Sequence, residues 1–391
     1  MAVSLAYLNE TLQKDYLPGF KAQLNEELSY LYKLMEKNTD PALGAESTFL
    51  VTFGRSGGIG NRAEDGNVPT AKAAGRKQIS VAPKNFYARI ALSDRLIKSG
   101  KTGAAFINAL DMEMEECFRD SKDSLNRQLF GDGAGTLTTI KTAVAVADDE
   151  VVVLDTKFLQ PNMVVDVIAI ADSAVTKSGL VIKNVDEATG TITFDATTTA
   201  AVGDMIVTSG SYNLEITGLK KIMTLNNTIY GVDRATNAWF NPGTLTASSV
   251  ILLDDDLMEK AIQRVDMKSG KKPEIIIGGY LATRVLKNYL AQYQRYTTID
   301  TRYDAGHSTM SYDGIPVETD KYQDDDVMDF LNIQDTFSML SIGELFDWMD
   351  LDGSVLKAVS GKAQYEAILT SYAEMMCKQP GANVRISGIE A

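Results

Sequence analysis

The sequence predicts an α+β protein, because helical and strand patterns occupy separate stretches of the chain. Stretches with apolar residues at every third or fourth position predict amphipathic helices. Residues 136–212 are rich in Val, Thr, Ala and Gly and carry short apolar runs between turn residues, which predicts an all-β segment. Beyond residue 250, helical stretches alternate with short apolar strands, as in mixed domains.

The N-terminal stretch predicts a helical arm. Its apolar stripe consists of Phe20, Leu24, Leu28, Leu31 and Met35. The pattern predicts a helix that continues to about residue 38. An amphipathic helix that precedes any compact domain needs a partner surface for its stripe, and another chain can supply that surface.

Residues 47–97 predict an extended two-stranded loop. An apolar strand at residues 49–53 leads into a polar, Gly-rich stretch, and a second strand pattern returns over residues 78–92. A loop of about twenty structureless residues is unusual inside a compact domain. We therefore expect this loop to work outside the domain, against another surface.

Residues 100–133 predict one long helix. One face of it is formed by Phe106, Leu110, Met114, Cys117, Ser121, Leu125 and Leu129. Gly131 and Gly133 follow and supply a C-terminal stop. With a rise of 1.5 Å per residue, such a helix would be about 40 Å long and could serve as a spine.

The β segment that follows is predicted to be a small antiparallel barrel or sandwich inserted into the chain. Its strand runs lie at residues 151–154, 163–170, 179–183, 191–194 and 205–208. A hairpin signal stands at Thr189 and Gly190, between two of these runs.

The rest of the chain predicts a mixed domain. Helical patterns cover residues 254–269 and 279–294, and strand patterns cover residues 274–277, 314–317 and 338–342. A final strand near residues 383–388 is expected to return beside the long helix.

Composition excludes several classes of function. The 391 residues include 38 Lys and Arg against 52 Asp and Glu, a formal net charge of −14. This balance argues against a protein whose main task is to neutralise a phosphate backbone. No signal peptide or membrane-spanning apolar run is present in the sequence, which predicts a cytosolic protein. Two cysteines and one histidine argue against a disulfide framework, a structural zinc site and most other metal or cofactor chemistry.

One motif could carry catalysis. Residues 54–58 read Gly-Arg-Ser-Gly-Gly, which matches the G-x-S-x-G elbow that exposes a nucleophilic serine between a strand and a helix. The stretch after it is too rich in Gly to begin a stable helix, and His307 is the only histidine that could act as a base. A serine hydrolase that uses Ser56 is therefore one functional hypothesis, the only one of the enzyme class that the sequence offers.

Charge is segregated along the chain. Residues 55–101 contain ten basic and three acidic residues, whereas residues 317–352 contain one basic and eleven acidic residues. A basic loop and an acidic patch on one chain suit a head-to-tail contact between copies. The alternative is that both are solvated surfaces without a contact, which would carry the same charges. The candidate contact residues are Arg55, Arg62, Lys72, Arg76 and Lys77 in the loop and Asp324, Asp325 and Asp326 in the acidic stretch.

The order of these parts resembles that of the major capsid proteins of tailed bacteriophages, over essentially the full chain. Two local stretches of sequence agree with this resemblance. Tyr230 to Pro242 is similar to the Gly-x-Asp-Arg-x-x-x-x-Trp stretch of such proteins, with Gly231, Asp233, Arg234 and Trp239 in the matching places. Residues 371–386 are similar to their closing turn and strand.

The resemblance implies the α+β fold of the tailed-phage major capsid proteins and a division of the chain. The implied parts are an N-terminal helical arm (1–46), an extended loop (47–97), the spine helix of a peripheral domain (98–135), an inserted β domain (136–215), an axial domain (216–357) and a return to the peripheral domain (358–391). The implied function is structural rather than enzymatic: pentamers and hexamers that close an icosahedral head around phage DNA.

The resemblance also implies partners and a location. Besides its own copies, the chain would meet a separate scaffolding protein, a portal protein and packaged double-stranded DNA, the last through non-specific contacts only. No membrane and no cofactor are expected, and the subunit would pass from the host cytoplasm to the virion. An encapsulin-like nanocompartment shares the implied fold and is the second alternative, although such shells use shorter chains without an inserted β domain.

Overall fold

The computed structural model describes residues 29–38, 46–95, 104–247, 253–293, 303–304, 307–308, 310–350 and 355–390, with backbone alone for 104–112, 291–293, 303–304 and 307–308. Three residues of the predicted N-terminal stripe, Phe20, Leu24 and Leu28, lie outside these ranges. So do Lys98 and Lys101 of the basic stretch.

The described helices and strands follow the predicted order. The helices are α1 (Tyr30–Leu34), α2 (Ala104–Phe130), α3 (Leu219–Met223), α4 (Asp255–Ser269), α5 (Tyr280–Tyr293) and α6 (Ile333–Thr336). The strands are β1 (Glu36–Asn38), β2 (Ser47–Phe53), β3 (Gly75–Val81), β4 (Lys84–Ser93), β5 (Thr136–Thr139), β6 (Val144–Val152), β7 (Val164–Ile168), β8 (Val175–Asp186), β9 (Thr191–Ala200), β10 (Met205–Thr208), β11 (Thr228–Ile229), β12 (Val232–Asp233), β13 (Gly243–Thr246), β14 (Ile275–Gly278), β15 (Tyr303–Asp304), β16 (His307–Ser308), β17 (Met310–Tyr312), β18 (Ile315–Thr319), β19 (Met328–Leu331), β20 (Phe337–Ser341), β21 (Asp347–Trp348), β22 (Lys357–Ala358), β23 (Gln364–Cys377) and β24 (Val384–Ser387).

The chain forms two compact units. One unit consists of Gly131–Leu219, and the other combines Met1–Phe130 with Lys220–Ala391. The first is therefore inserted into the sequence of the second.

The inserted unit is a six-stranded antiparallel barrel. Its strands are neighbours in the order β5-β10-β7-β8-β9-β6. A bridge between Ile140 and Val153, and a hydrogen bond from Leu154 N to Thr139 O (2.9 Å), join β6 back to β5 and close the sheet. Alternate strand residues fill the interior, among them Val165, Ile182, Ile192, Phe194 and Ile206. Of the two predicted arrangements, barrel or sandwich, the barrel is found.

The larger unit contains two six-stranded sheets. In the first sheet, β20, β21 and β22 each pair with a different segment of the long strand β23. Strand β4 pairs antiparallel with β23 over ten residues. The second sheet has the order β13-β24-β19-β14-β18-β17. Helix α4 packs on this second sheet through a core that includes Met258, Ile262, Ile276, Phe330 and Ile386.

Local sequence explains where α4 begins and ends. The Asp254 side chain accepts a hydrogen bond from Leu257 N (2.9 Å), which caps the N-terminus, and Asp255 and Asp256 complement the helix dipole. Gly270 ends the helix in the left-handed conformation (φ 72°), which suits glycine. The three consecutive aspartates at residues 254–256 thus form the start of the helix.

One element differs from the prediction. The helix of the arm ends at Leu34, because Glu36–Asn38 instead pair in parallel with β20. Strand β20 in turn pairs with β23, and the final strand β24 pairs with β13 and β19. These pairings join distant segments of the chain, and local patterns do not encode them.

No helix among the described residues is long and apolar enough to span a membrane.

Candidate intersubunit contact site

Strands β2 and β3 form a hairpin whose two faces differ. They pair antiparallel from Ser47 opposite Val81 to Phe53 opposite Gly75, and side chains directly opposite each other share a face. The covered face carries Phe49, Val51, Phe53, Ile79 and Val81, which are buried or half-buried. The other face is exposed and carries Thr48, Leu50, Thr52, Arg76, Gln78 and Ser80.

An aromatic contact anchors the hairpin to the body of its unit. The Phe53 ring stacks on the Trp239 ring, with centroids 4.4 Å apart and planes at 9°. Gly75 lies opposite Phe53, and a Cβ there would stand 2.6 Å from the Phe53 ring, so only glycine leaves room for this stack. Phe49 adds a second contact in a cluster that includes Tyr230.

Tyr230 ties the same region to the end of β23. Its hydroxyl donates to the carbonyl of Met375 (2.6 Å) and accepts from the backbone N–H of Cys377 (3.2 Å). Burial, together with the negative charge of Glu374, raises the pKa of Tyr230 well above its ordinary value. The phenol therefore stays neutral and keeps both hydrogen bonds.

Arg234 forms the buried centre of this junction. Its side chain is inaccessible to solvent, and Nη1 donates to the carbonyls of Ile222 (2.8 Å) and Thr224 (2.9 Å) and to Oδ1 of Asn227 (3.1 Å). The guanidinium lies 5.5 Å from the centre of the Phe240 ring. Burial lowers the pKa of Arg234 to about 10, which still leaves a cation at neutral pH. The sequence around Tyr230, Arg234 and Trp239 thus organises the contact between the hairpin and the body of its unit, a role that sequence reasoning did not assign to these residues.

Two hydrogen bonds to one backbone carbonyl join the two sides of the loop between β2 and β3. Ser56 Oγ donates to the Lys72 carbonyl (2.9 Å), and Gly57 N donates to the same oxygen (3.0 Å). The side chains of Arg55, Arg62 and Lys72 are exposed. Three of the five basic candidates therefore lie on this loop.

Arg76 and Lys77 lie on opposite faces of β3. Arg76 stands opposite Thr52 on the exposed face, whereas Lys77 stands opposite Val51 on the covered face and is half-buried. Alternation along a strand places neighbouring residues on opposite sides. Only Arg76 of this pair extends the exposed face of the hairpin.

The acidic candidates lie between β18 and β19. Asp324 forms an ion pair with Lys220 (2.9 Å), and Asp325 and Asp326 are exposed. Their backbone is fixed, because the Asp325 carbonyl accepts from Ala282 N (2.9 Å) at the start of α5. A Cβ on Gly279 would stand 2.1 Å from the Asp324 carbonyl oxygen, so the close approach of these segments requires glycine.

One member of the acidic stretch is not a surface charge. Asp329 and Arg385 are buried and form a two-pronged ion pair across β19 and β24, with both N···O distances at 2.7 Å. Gln323 also donates to the Asp329 carboxylate (2.5 Å). Burial alone would lower the pKa of Arg385, but the Asp329 carboxylate raises it, so the pair stays charged. The charge count of the sequence therefore overstates the acidity of this surface.

The geometry of a nucleophile elbow is absent at Ser56. Strand β2 precedes the motif, but residues 54–74 run as a loop into β3 without a helix. The Ser56 hydroxyl is engaged with the Lys72 carbonyl, and the side chain of His307 lies outside the described part of the chain. Among the described residues, no group of three His, Cys, Asp or Glu side chains is arranged to hold a metal ion.

Comparison with known proteins identifies the fold through structure. No protein-family model and no curated protein sequence matches the chain. The capsid asymmetric unit of cyanophage A-1(L) is 11% identical, with 93% of each chain covered and a TM-score of 0.57. The capsid of an empty GTA particle is 9% identical (93% and 92% covered, TM-score 0.49), and the encapsulin complex of Synechococcus elongatus is 8% identical (93% and 89% covered, TM-score 0.48).

The cyanophage alignment runs through nearly the whole of both chains, and the order of elements in this chain is the one that the sequence predicted. The chain therefore has the fold of the tailed-phage major capsid proteins.

Proposed function

We propose that this chain is a major capsid subunit, a structural protein whose copies assemble into pentamers and hexamers of an icosahedral phage head. The observation that carries the proposal is the alignment with a cyanophage capsid subunit over 93% of both chains. In that setting the six parts expected from the sequence, from the arm at 1–46 to the return at 358–391, take the roles of arm, extended loop, spine, inserted domain, axial domain and peripheral domain.

The hairpin supports this function by its construction. The Phe53–Trp239 stack fixes the end of the ladder next to the loop, and the exposed face presents Leu50, 61% exposed, together with Arg76. A fixed two-stranded element that presents a basic side chain suits a contact with an acidic surface. We assign that contact to a neighbouring copy, with Arg55, Arg62, Lys72 and Arg76 as the basic side chains.

The acidic counterpart in the neighbour is assigned to Asp325 and Asp326. Both of these side chains are exposed, whereas the Asp324 side chain is half-buried. Complementary charges across such an interface raise the rate of association and fix its register. The partners in assembly would be scaffolding and portal proteins, with DNA contacted non-specifically because the net charge is −14.

An encapsulin-like shell is the second candidate, since a shell of that kind also aligns over most of the chain. The two differ in content. Co-purified double-stranded DNA, or packaging dependent on a portal, favours the phage head, whereas a protein cargo favours the nanocompartment. A hydrolase reaction at Ser56 lacks support, because its hydroxyl is engaged and no helix follows it.

Reversing one charge on the exposed face of the hairpin tests the docking role. Arg76→Glu is expected to lower the yield of assembled shells severalfold and to alter the salt dependence of assembly, because the side chain meets an acidic neighbour. The yield is measured by sedimentation, with circular dichroism to establish that the variant folds.

Lys183→Glu is the matched control. Lys183 is exposed and belongs to the inserted barrel, the other compact unit, so its substitution changes net charge by the same amount without altering the hairpin. Equal yields from Arg76→Glu and Lys183→Glu would contradict the docking role of Arg76 without touching the shell function, which wild-type assembly tests by itself.

A further inference from the structure

The topology of the inserted barrel gathers three turns at one end. Because the neighbouring strands are all antiparallel, β5, β7 and β9 run in the same direction. The turns that follow them, at residues 140–144, 168–175 and 200–205, therefore meet at the same end of the barrel. The chain enters and leaves the barrel at the opposite end. We call the end with the three turns the distal end.

A buried aspartate fixes the three turns to one another. Asp204 is 3% exposed, and its carboxylate accepts from Ile170 N (3.1 Å) in the second turn and from Ala201 N (2.8 Å) in its own turn. Its backbone carbonyl accepts from Ile140 N (2.8 Å) at the first turn. These hydrogen bonds therefore hold the three turns of the distal end in one arrangement.

The fixed distal end exposes aliphatic side chains. Ile170 is 60% exposed, Val175 is 55% exposed and Val202 is 61% exposed. All three lie in the joined turns: a Cβ on Gly203, the residue after Val202, would stand 3.5 Å from Cδ1 of Ile170, and Val175 ends the turn that contains Ile170. The exposed alanines of the same turns are Ala143, Ala171, Ala174 and Ala201. Such a cluster of exposed apolar side chains marks a contact surface.

The distribution of charge distinguishes the distal end from the rest of the barrel. Residues 131–219 contain twelve acidic and four basic residues, so two barrels repel each other over most of their surface. Within the three turns the exposed charges are one of each sign, Lys141 and Asp172. A two-fold contact there would join apolar centre to apolar centre and bring Lys141 of each copy toward Asp172 of the other.

We propose that the distal end of the inserted barrel is a self-complementary contact, through which barrels of two subunits meet about a two-fold axis. The inference rests on the proposed shell function, because the shell supplies the second copy. A basic partner protein would instead dock on the acidic flank, for example at Asp148 and Glu150, and would leave the distal end free.

Chemical cross-linking of assembled full-length protein tests the contact. In a Val202→Cys variant, a short bismaleimide is expected to give covalent dimers well above the wild-type background that Cys117 and Cys377 set. The matched control is Leu154→Cys, because Leu154 is 70% exposed but follows β6 at the opposite end of the barrel. It is expected to stay at background.

Charge reversal provides the second measurement. In the Val202→Cys background, Lys141→Asp and Asp172→Lys should each lower the dimer yield severalfold, and the two together should restore it. Lys183→Glu, on the side of the barrel, should leave the yield unchanged.

The outcomes separate this inference from the proposed function. Shells without dimers, equal dimers from Leu154→Cys, or no restoration in the double reversal would overturn the two-fold contact and leave the shell function standing. A chain that forms no shells would overturn the proposed function. The cross-linker is then applied to the concentrated, unassembled protein, and background yield there overturns the contact as well.

Discussion

Replacing Asp329 with Asn is expected to lower the free energy of unfolding of the larger unit by about 3–5 kcal/mol. The substitution keeps the shape of the side chain but leaves the Arg385 cation buried without its carboxylate. Desolvation of an unpaired charge dominates the loss. Trp239 and Trp348 are the two tryptophans of the chain and both lie in this unit, so their fluorescence during urea unfolding reports on it and not on the barrel.

Two further variants separate the buried pair from ion pairs in general. Asp256→Asn removes an exposed partner of Lys260 and one charge in the first turn of α4, and the unfolding midpoint should move far less than in Asp329→Asn. Combining Asp329→Leu with Arg385→Met should recover much of the loss, because apolar residues of similar volume remove both buried charges. An unfolding free energy for Asp329→Asn within 1 kcal/mol of wild type would contradict the role given to the pair.

Replacing Phe53 with Ala is expected to lower the assembly constant at least about tenfold. A tenfold change corresponds to a loss of ~1.4 kcal/mol in the free energy of assembly. The substitution removes the ring that stacks on Trp239 and so frees the loop end of the hairpin from the body of its unit. Every subunit carries the hairpin, so the loss recurs at each contact in a shell. Trp239 fluorescence should shift to longer wavelength as the indole becomes more exposed.

Val68→Ala is the control for the hairpin. Val68 is 86% exposed in the same loop, so its truncation shortens an apolar side chain without touching the anchor. Light scattering during assembly compares the two variants with wild type. Assembly of Phe53→Ala at the wild-type level, with an unchanged Trp239 spectrum, would show that the stack does not hold the hairpin in its working position.

Much of the fold could be predicted because the chain is locally consistent. Periodicity located α2, α4 and α5, and the turn at Thr189 and Gly190 joins β8 to β9 as predicted. The order of these elements pointed to the capsid fold, and the cyanophage alignment confirms it. Glu36–Asn38 became a strand because a distant partner, β20, overrides local helix propensity.

The candidate site was harder to predict, because charge along a sequence does not reveal which charges are buried. Asp329 counted as acidic surface but is paired inside a sheet, and Asp324 is paired with Lys220 from a distant segment. Arg76 and Lys77, adjacent in sequence, face opposite sides of β3. The aromatic anchor at Trp239 carried only one sequence signal, its place in the phrase shared with capsid proteins.

Copies of this chain are proposed to build a closed shell. Light scattering combined with electron microscopy of the purified full-length protein, alone and with a candidate scaffolding protein, tests this. We expect closed shells, or rings of five and six subunits. A 42.6 kDa monomer under every condition would contradict it.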